Sequence, residues 1–287
     1  MIKNTVKLAL QISANVFPQS CAKAHYFIKF KRKLDLRKPT NFNEKIQWLK
    51  FNEFSNDIYT ICADKYKVRE YISSKGCGEI LNELYGVYDD PQDIDYDALP
   101  EKFALKCNHG AGYNIICDDK AALDIEKTNK KLNKWLNQDF STLFIEPQYK
   151  KIERKILCEK YIENEQGGFP EDYKFYCFNG KPYAVMVCSG REKGTPKFYY
   201  FDMNWNPLPF EDTIELIDKN SYPKMPEGFK KMRSYAIKLA SDFKFVRADF
   251  YLLNGDVIFG ELTFTPSAGL DVTLQEADII LGSQLKL

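Results

Sequence analysis

Three charged residues stand out near the end of the chain, in the stretch RADFYLLNGDVIFGELTFTPSAG, residues 247–269. Arg247, Asp249 and Glu261 lie there among apolar and aromatic residues, on two segments that flank Asn254-Gly255, a dipeptide typical of a hairpin turn. Because side chains alternate between the two faces of a strand, the register of this hairpin decides whether the two carboxylates meet.

The apolar residues of the two strands predict that register. A two-residue turn that pairs Leu253 with Asp256 throughout the hairpin would split the apolar residues between opposite faces. We therefore expect a three-residue loop or a bulge, with Leu253 opposite Val257. The residues that this register brings to the core face are Val246, Ala248, Phe250, Leu252, Ile258, Leu262 and Phe264.

The same register sets Asp249 directly opposite Glu261, with Arg247 opposite Thr263 on the same face. Like charges in this position repel each other unless something neutralises them. A cation would do so, and oxygen ligands favour Mg²⁺ or Mn²⁺ over zinc. The alternative is a hairpin whose carboxylates form salt bridges with Arg247 and nearby lysines.

Composition narrows the class of protein. The chain has 287 residues, enough for about two domains, and its net charge of +1 provides no electrostatic basis for nucleic-acid binding. Eight scattered cysteines without a C-x-x-C pair indicate reduced thiols in a cytoplasmic protein. Two histidines make a histidine zinc site improbable.

One segment is strongly basic despite the small net charge. Residues 21–39, CAKAHYFIKFKRKLDLRKP, hold seven Lys or Arg and one Asp. This segment is either a solvated helical face or a surface that docks near anionic lipid or a lipid-linked polymer, at the inner face of the membrane.

A lysine and a glycine-rich loop form a second candidate site. In LKCNHGAGYNII, Lys106 ends a predicted strand, and Gly110 and Gly112 follow it. Backbone N–H groups of such a loop can turn toward an anion, and the lysine adds a point charge for phosphate. Any hairpin turn can also hold two glycines.

Strands arrive as hairpins between helices, which predicts an α+β fold with antiparallel sheets.

Six motifs in this order resemble one protein family: PTNFNEKIQWLK, ADKYKVREYI, LPEKFALKCNHGAG, EKYIE, YKFYCFNGKP and VRADFYLLNGDVIFGELTFTPSAG. They are similar to the TupA-like ATP-grasp family of surface-polysaccharide biosynthesis. The resemblance implies two α+β subdomains with antiparallel sheets that clamp a nucleotide, plus a helical N-terminal extension. It assigns residues 1–60 to that helical region, 61–100 and 161–287 to a core subdomain, and 101–160 to a lid subdomain.

The resemblance also implies a nucleotide site. Arg69 and Lys106 would neutralise the triphosphate, and Glu159 would receive the adenine amino group. His109 either contacts the γ-phosphate or caps its turn. The main chain of Lys160 and Ile162 would read the adenine edge. The residues assigned to ATP binding are Arg69, Lys106, His109, Gly110, Gly112, Glu159, Lys160, Ile162 and, at the ribose, Asp172.

For catalysis and metal binding, the resemblance implies Arg247 and Lys174 as catalytic residues and Asp249 and Glu261 as ligands of Mg²⁺ or Mn²⁺. Many ATP-grasp ligases have Glu-x-Asn where this chain has Glu261-Leu262-Thr263. A hydroxyl is a poorer metal ligand than an amide oxygen, so the role of Thr263 stays open.

The implied activity is an ATP-dependent carboxylate–amine ligase that forms an amide through an acyl phosphate. Its partners would be a carboxylate, either a uronic acid or an amino acid, and an amine, free or on a membrane-linked glycan precursor. A glycosyltransferase is the alternative, because Asp93-Ile94-Asp95 is a D-x-D sequence, although it lies in a loop rich in Pro and Asp. A nucleotide-binding scaffold without catalysis is a third possibility.

Overall fold

The computed structural model describes residues 13–164, 168–190, 196–210 and 222–287. Residues 1–12, the start of the predicted N-terminal helical region, lie outside this part of the chain. The helices are α1 (Pro18–Phe30), α2 (Phe42–Asn52), α3 (Asp57–Ala63), α4 (Val68–Ser74), α5 (Ile125–Leu136), α6 (Phe229–Ala240) and α7 (Glu276–Gln284). The strands are β1 (Leu84–Tyr88), β2 (Phe103–Cys107), β3 (Asn114–Cys117), β4 (Ile156–Lys160), β5 (Asp172–Phe178), β6 (Lys181–Ser189), β7 (Lys197–Asp202), β8 (Pro207–Leu208), β9 (Phe245–Leu253) and β10 (Asp256–Thr263).

The helical region before β1 packs on the rest of the molecule through α2. The side chain of Asn41 caps this helix by accepting the backbone N–H of Glu44 at 2.9 Å. Phe42, Ile46 and Leu49 are fully buried on one side of the helix, as their spacing predicts. In the part of the chain that the structure describes, no helix is both long and apolar enough to cross a membrane.

A four-stranded antiparallel sheet has the strand order β1-β4-β2-β3. Phe103 and Leu105 of β2 are buried, and Leu132 of α5 packs in the same core. Because β1 pairs with β4, residues 84–88 belong to this sheet. The predicted division at residue 100 therefore does not follow the boundary between the sheets.

A six-stranded antiparallel sheet, ordered β10-β9-β5-β6-β7-β8, forms the larger half. Phe175 of β5 and Phe250 of β9 meet edge to face with ring centroids 5.7 Å apart, and Phe229 of α6 stacks on Phe175. Strand β9 lies between β10 and β5, and β5 lies between β9 and β6. Side chains on the face of these strands opposite the Phe175–Phe250 core therefore have neighbouring strands on both sides. Both sheets are antiparallel, as predicted.

The β9–β10 hairpin confirms the predicted pairing of Asp249 with Glu261 and corrects how it arises. Asn254 and Gly255 form a two-residue turn with φ values of 52° and 85°, and Leu253 pairs with Asp256. The predicted pairing of Leu253 with Val257 is therefore wrong. Positive φ at both turn residues suits the twist of the two strands.

A bulge at Gly260 shifts the register farther along this hairpin. Phe259 lies opposite Phe250, yet Glu261 lies opposite Asp249. A Cβ at Gly260 would lie 3.0 Å from the carbonyl oxygen of Asp249, a tight contact that glycine avoids at the bulge. Before the bulge, Val257 and Phe259 face the core and Ile258 does not, which corrects the prediction for Ile258.

Candidate active site

A cleft of about 250 Å³ lies between the two sheets. Its walls are rich in charged side chains from both sheets and from the start of α4. These are Lys65, Arg69, Lys106, Glu159, Asp172, Lys174, Asp249 and Glu261. Gly112 and Ile162 also line the cleft. The predicted site residues outside its lining are His109, Gly110, Lys160 and Arg247.

Three neighbouring strands align the charges of the hairpin. Glu261, Asp249 and Lys174 lie side by side across β10, β9 and β5, and Arg247 lies opposite Thr263 in the adjacent row. Arg247 donates from Nε to Asp249 Oδ1 at 2.8 Å and from Nη2 to Oδ2 at 2.6 Å. Lys174 Nζ lies 2.8 Å from Asp249 Oδ2. These two cations neutralise Asp249, which is 2% exposed, so repulsion between the carboxylates does not by itself require a metal ion.

Lys174 joins two carboxylates. Its Nζ lies 2.5 Å from Asp172 Oδ2 as well as 2.8 Å from Asp249 Oδ2. Burial, the largest single effect, would lower the pKa of Lys174, but the attraction of Asp249, Asp172 and Glu261 together outweighs it and raises the pKa. Lys174 therefore stays charged in the cleft. Asp172, the predicted ribose ligand, is bound to this lysine.

Glu261 is the more accessible carboxylate, with a side chain 42% exposed. Burial raises its pKa, but Lys65, Arg247 and Lys174 outweigh that effect and hold the pKa below its usual value. Thr263 donates to Glu261 Oε1 at 3.1 Å. Glu261 is thus an ionised carboxylate that faces the cleft. Among the described residues, no group of three or more His, Cys, Asp or Glu could hold a metal ion.

On the opposite wall, Lys106 and Glu159 form an ion pair across β2 and β4. Lys106 Nζ lies 2.7 Å from Glu159 Oε2. Burial alone would lower the pKa of Lys106, and the contact with Glu159 raises it above the usual value. The two residues predicted to contact opposite ends of ATP therefore contact each other in this structure.

Arg69 and Lys65 both line the cleft and donate hydrogen bonds to different carbonyl oxygens. Arg69 Nη2 donates to the carbonyl oxygen of Asn82 at 2.9 Å, and its Nη1 lies 3.8 Å from Glu159 Oε1. Lys65 is attracted by Glu261, although burial lowers its pKa overall. Lys65 also interacts with Glu159, so both cations act on that carboxylate. Lys65 was not among the predicted site residues.

The glycine-rich loop between β2 and β3 is attached at its base. The buried Asn108 side chain donates to Asp64 Oδ1 at 2.9 Å and to the carbonyl oxygen of Glu153 at 2.8 Å. Lys65 Nζ donates to the carbonyl oxygen of Gly110. Gly112 has a φ of 73°, which a residue with a side chain rarely adopts.

His109 faces the interior rather than the cleft. It is 2% exposed, and its Nε2 lies 3.1 Å from the carbonyl oxygen of Trp135 in α5. Burial lowers the pKa of His109 to about 4, so the ring is neutral near pH 7. Gly110 packs under the ring of Phe140, where a Cβ would lie 2.7 Å from a ring carbon.

The main chain of Lys160 is already hydrogen-bonded. Its N–H donates to the carbonyl oxygen of Glu83 at 3.0 Å, and its carbonyl oxygen accepts from Asn82 Nδ2 at 2.8 Å. Its side chain is exposed and pairs with Glu83. Ile162, two residues farther along, lines the cleft and is the better placed of the two predicted adenine contacts.

Three tyrosines line the cleft, Tyr113, Tyr149 and Tyr251, and none of them was predicted. Tyr251 follows Arg247 and Asp249 at the two-residue period of β9, so strand alternation could have predicted that it lies on the same face. Tyr149 ends a short 3₁₀ segment and had no periodic signal. Burial and then Glu146 and Glu261 raise the pKa of Tyr149 well above 10, so its phenol is a hydrogen-bond donor and not a base.

The D-x-D sequence forms a local turn. Asp95 Oδ1 accepts the backbone N–H of Asp97 at 3.2 Å and of Ala98 at 3.3 Å, and Ile94 is buried between the two acids. Neither acid lines the cleft. This arrangement is typical of an Asx turn and offers no support for a sugar-nucleotide site.

Comparison with known families identifies one match. The model of the family described as TupA-like ATPgrasp matches residues 44–286, which confirms the resemblance carried by the six motifs. No protein of curated function matches the sequence.

Solved structures share the fold at low sequence identity. An L-amino acid ligase from Bacillus licheniformis is 13% identical, with a TM-score of 0.51 over 95% of this chain and 63% of that one. A D-alanine–D-alanine ligase from Bacillus anthracis complexed with ATP is 15% identical, with a TM-score of 0.46 over 78% and 62%. An N5-carboxyaminoimidazole synthetase from Staphylococcus aureus complexed with ADP is 11% identical, with a TM-score of 0.47 over 79% and 53%. The chain spans about half to two thirds of the length of these structures. The α+β ATP-grasp fold is thereby confirmed.

Proposed function

We propose that this chain, which belongs to the TupA-like ATPgrasp family, is an ATP-dependent ligase that joins a carboxylate to an amine. One observation carries the proposal. The cleft brings cationic side chains from both walls, Lys106 on one and Lys174 on the other, together with the carboxylates of the hairpin. Such a site suits a substrate that carries several negative charges together with a divalent cation.

The nucleotide would lie along the cleft from Ile162 to the hairpin. Ile162 and Glu159 would contact adenine, and Lys106 and Lys65 would contact the phosphates. Binding would require Lys106 to exchange its 2.7 Å contact with Glu159 for a phosphate oxygen. Glu159 would then be available to accept the adenine amino group, which couples the two contacts. Arg69 already lies beside Glu159 and would orient its carboxylate.

Asp249 and Glu261 would hold Mg²⁺ or Mn²⁺. Their oxygens are directly opposed on one wall of the cleft, and Mg²⁺ commonly combines one or two carboxylates with substrate phosphates. Asp249 Oδ2 would exchange its contact with Lys174 for the ion. When bound, the ion would neutralise charge on the transferring phosphate. Thr263 bonds to Glu261 and would orient that carboxylate.

The reaction would proceed in two steps. The substrate carboxylate would attack the γ-phosphorus to give an acyl phosphate and ADP. The amine would then attack the acyl carbon, lose a proton and expel phosphate. Arg247 and Lys174, held in place by Asp249, would stabilise the negative charge that develops on the oxygens. Tyr149 would donate a hydrogen bond there, because its phenol stays protonated.

The substrates that we propose belong to bacterial surface-polysaccharide biosynthesis: a uronic acid or amino acid as carboxylate and an amine on a glycan precursor. We place the reaction in the cytoplasm, at the inner face of the membrane, and expect no nucleic-acid partner. The resemblance to the family and the basic segment 21–39 support these finer statements.

Thermal unfolding in the presence of ligands tests the nucleotide choice. ATP with Mg²⁺ should raise the melting temperature, whereas UDP-sugars should not, because only a ligand of the native state stabilises it. Stabilisation by UDP-sugars alone would overturn the ligase proposal and favour glycosyl transfer.

A further inference from the structure

Helix α1 is apolar on two faces. Its inward face holds Ala22 and Tyr26, and Tyr26 packs in a small core with Leu34 and Leu270. Its outward face carries an exposed stripe formed by Ala24, Phe27 and Ile28, which Phe17 extends just before the helix begins. The large apolar residues on and beside that stripe, each 53 to 64% exposed, are Val16, Phe17, Phe27 and Ile28.

Basic residues surround this stripe. All seven Lys and Arg of residues 21–39 are exposed. Asp35, the one acid among them, accepts the backbone N–H groups of Arg37 at 2.7 Å and Lys38 at 3.0 Å. Among the described residues, Arg32 is the only one of the seven that forms an ion pair, with Asp278 at 3.4 Å. The cationic charge around the stripe is therefore largely uncompensated.

We propose that the outward face of α1 and the basic residues around it bind the surface of an anionic lipid bilayer. An interfacial helix buries its apolar side chains at the boundary between headgroups and acyl chains, and its lysines contact anionic headgroups. Phe27 and Ile28 supply the apolar contact. Lys23 lies one turn before them on α1, Lys31 directly follows the helix, and both supply the ionic contact.

Other occupants match this surface less well. A second copy of the chain docked symmetrically on α1 would bring two sets of seven cations together, and like charges repel. A soluble polyanion would match the cations but would leave Phe17, Phe27 and Ile28 in water. An anionic bilayer satisfies both the charge and the apolar stripe.

Sedimentation with lipid vesicles tests the proposal without nucleotide, so its outcome is independent of the ligase proposal. The protein should bind vesicles that contain phosphatidylglycerol, should not bind vesicles of phosphatidylcholine alone, and should be released by salt. The double variant Phe27→Ser/Ile28→Ser should lose at least about tenfold in affinity for these vesicles. Lys23→Gln and Lys31→Gln should each weaken binding about fivefold.

Helix α6 provides a matched control, because it also carries exposed lysines and an exposed isoleucine. Ile237→Ser and the double variant Lys230→Gln/Lys231→Gln should bind vesicles like the parent protein. Unchanged melting temperatures would establish that every variant is folded.

Three results would overturn the proposal. They are no binding to phosphatidylglycerol vesicles, equal loss in the α6 controls, and full binding by Phe27→Ser/Ile28→Ser. A dimer in solution that this double variant dissociates, with no vesicle binding by the parent, would assign the stripe to a second copy instead.

Discussion

The two walls of the cleft hold their charges in different ways. On the wall formed by β9 and β5, Asp249 accepts hydrogen bonds from two cations, Arg247 and Lys174, and is nearly inaccessible to water. We call these three residues the hairpin cluster. On the other wall, Lys106 and Glu159 form one ion pair, and about a quarter of the Lys106 side chain is exposed.

This difference separates a fixed platform from an exchangeable contact. The hairpin cluster is held by the register of two adjacent strands, β9 and β5, so its cations are positioned before substrate arrives. The Lys106–Glu159 pair involves one lysine with a flexible stem, and a phosphate can replace its partner. We therefore expect substitutions in the hairpin cluster to affect stability as well as turnover, and substitutions in the Lys106–Glu159 pair to affect mainly binding.

Asp249→Asn should have the largest effect on stability. It would leave Arg247 and Lys174 buried without their shared counter-charge, which typically costs about 3 kcal/mol in the free energy of unfolding. Urea denaturation measures this value. Asp256→Asn is the matched control, because Asp256 is an exposed residue at the start of β10. Equal stability of the two variants would mean that the hairpin cluster does not support the fold.

Strand alternation and the apolar pattern predicted the key feature of this wall, the pairing of Asp249 with Glu261. The details of the hairpin were harder to predict because two local irregularities compensate each other. Asn254-Gly255 favoured a two-residue turn, and the isolated Gly260 favoured a bulge. One continuous register cannot contain both the two-residue turn and the bulge, so the pairing of Leu253 with Asp256 was not predicted.

His109, in the loop between β2 and β3, makes the stability of the protein depend on pH. Its pKa is about 4 in the folded protein and about 6.5 in the unfolded chain, because burial disfavours the charged ring. The neutral ring therefore costs no stability above pH 6.5. As the pH falls from 6.5 to 4, the unfolded chain takes up a proton that the folded protein does not, and the free energy of unfolding decreases. The loss should reach about 3 kcal/mol.

His109→Gln should remove this loss, which urea denaturation across that pH range would measure. His25→Gln is the control variant and should retain the loss that comes from His109. An unchanged pH dependence in His109→Gln would show that the ring is protonated without cost in the folded protein.

Lys106→Ala should weaken ATP binding by about 10- to 100-fold, because it removes a charge-assisted contact with phosphate. Its free energy of unfolding should change little, because Arg69 remains beside the Glu159 carboxylate. Calorimetric titration with ATP measures the affinity. Lys102→Ala, which removes a surface lysine paired with Glu163, should bind ATP normally. Unchanged affinity in Lys106→Ala would make this residue a structural lysine.

Lys65→Met and Arg69→Met should differ in a smaller but informative way. Lys65 is coupled to Glu261 and Arg69 to Glu159, so we expect Lys65→Met to weaken binding of ATP and of inorganic triphosphate alike, by about tenfold. Arg69→Met should weaken ATP binding and leave triphosphate binding unchanged. Weaker triphosphate binding in Arg69→Met, with normal binding in Lys65→Met, would show instead that Arg69 contacts the phosphates, as predicted from the sequence.

The site was predicted less completely than the hairpin because side-chain direction in loops depends on tertiary contacts. The glycine-rich loop marked Lys106 and Gly112, but nothing in the sequence indicated that His109 turns toward Trp135. Likewise, the occupied main chain of Lys160 follows from the path of residues 82–83 alongside β4. Tyr149 reaches the cleft from a short 3₁₀ segment, which has no periodicity to read.

Trapping with hydroxylamine tests the central claim, that the cleft uses ATP to activate a carboxylate. The protein would be incubated with ATP, Mg²⁺, hydroxylamine and a pool of uronic acids and amino acids, and hydroxamate and ADP would be quantified. We predict equal amounts of hydroxamate and ADP in the parent protein and none in Glu261→Gln, which should keep nearly normal stability because Glu261 is partly exposed. ADP without hydroxamate, full activity of Glu261→Gln, or release of UDP from UDP-sugars with no ADP from ATP would contradict the account.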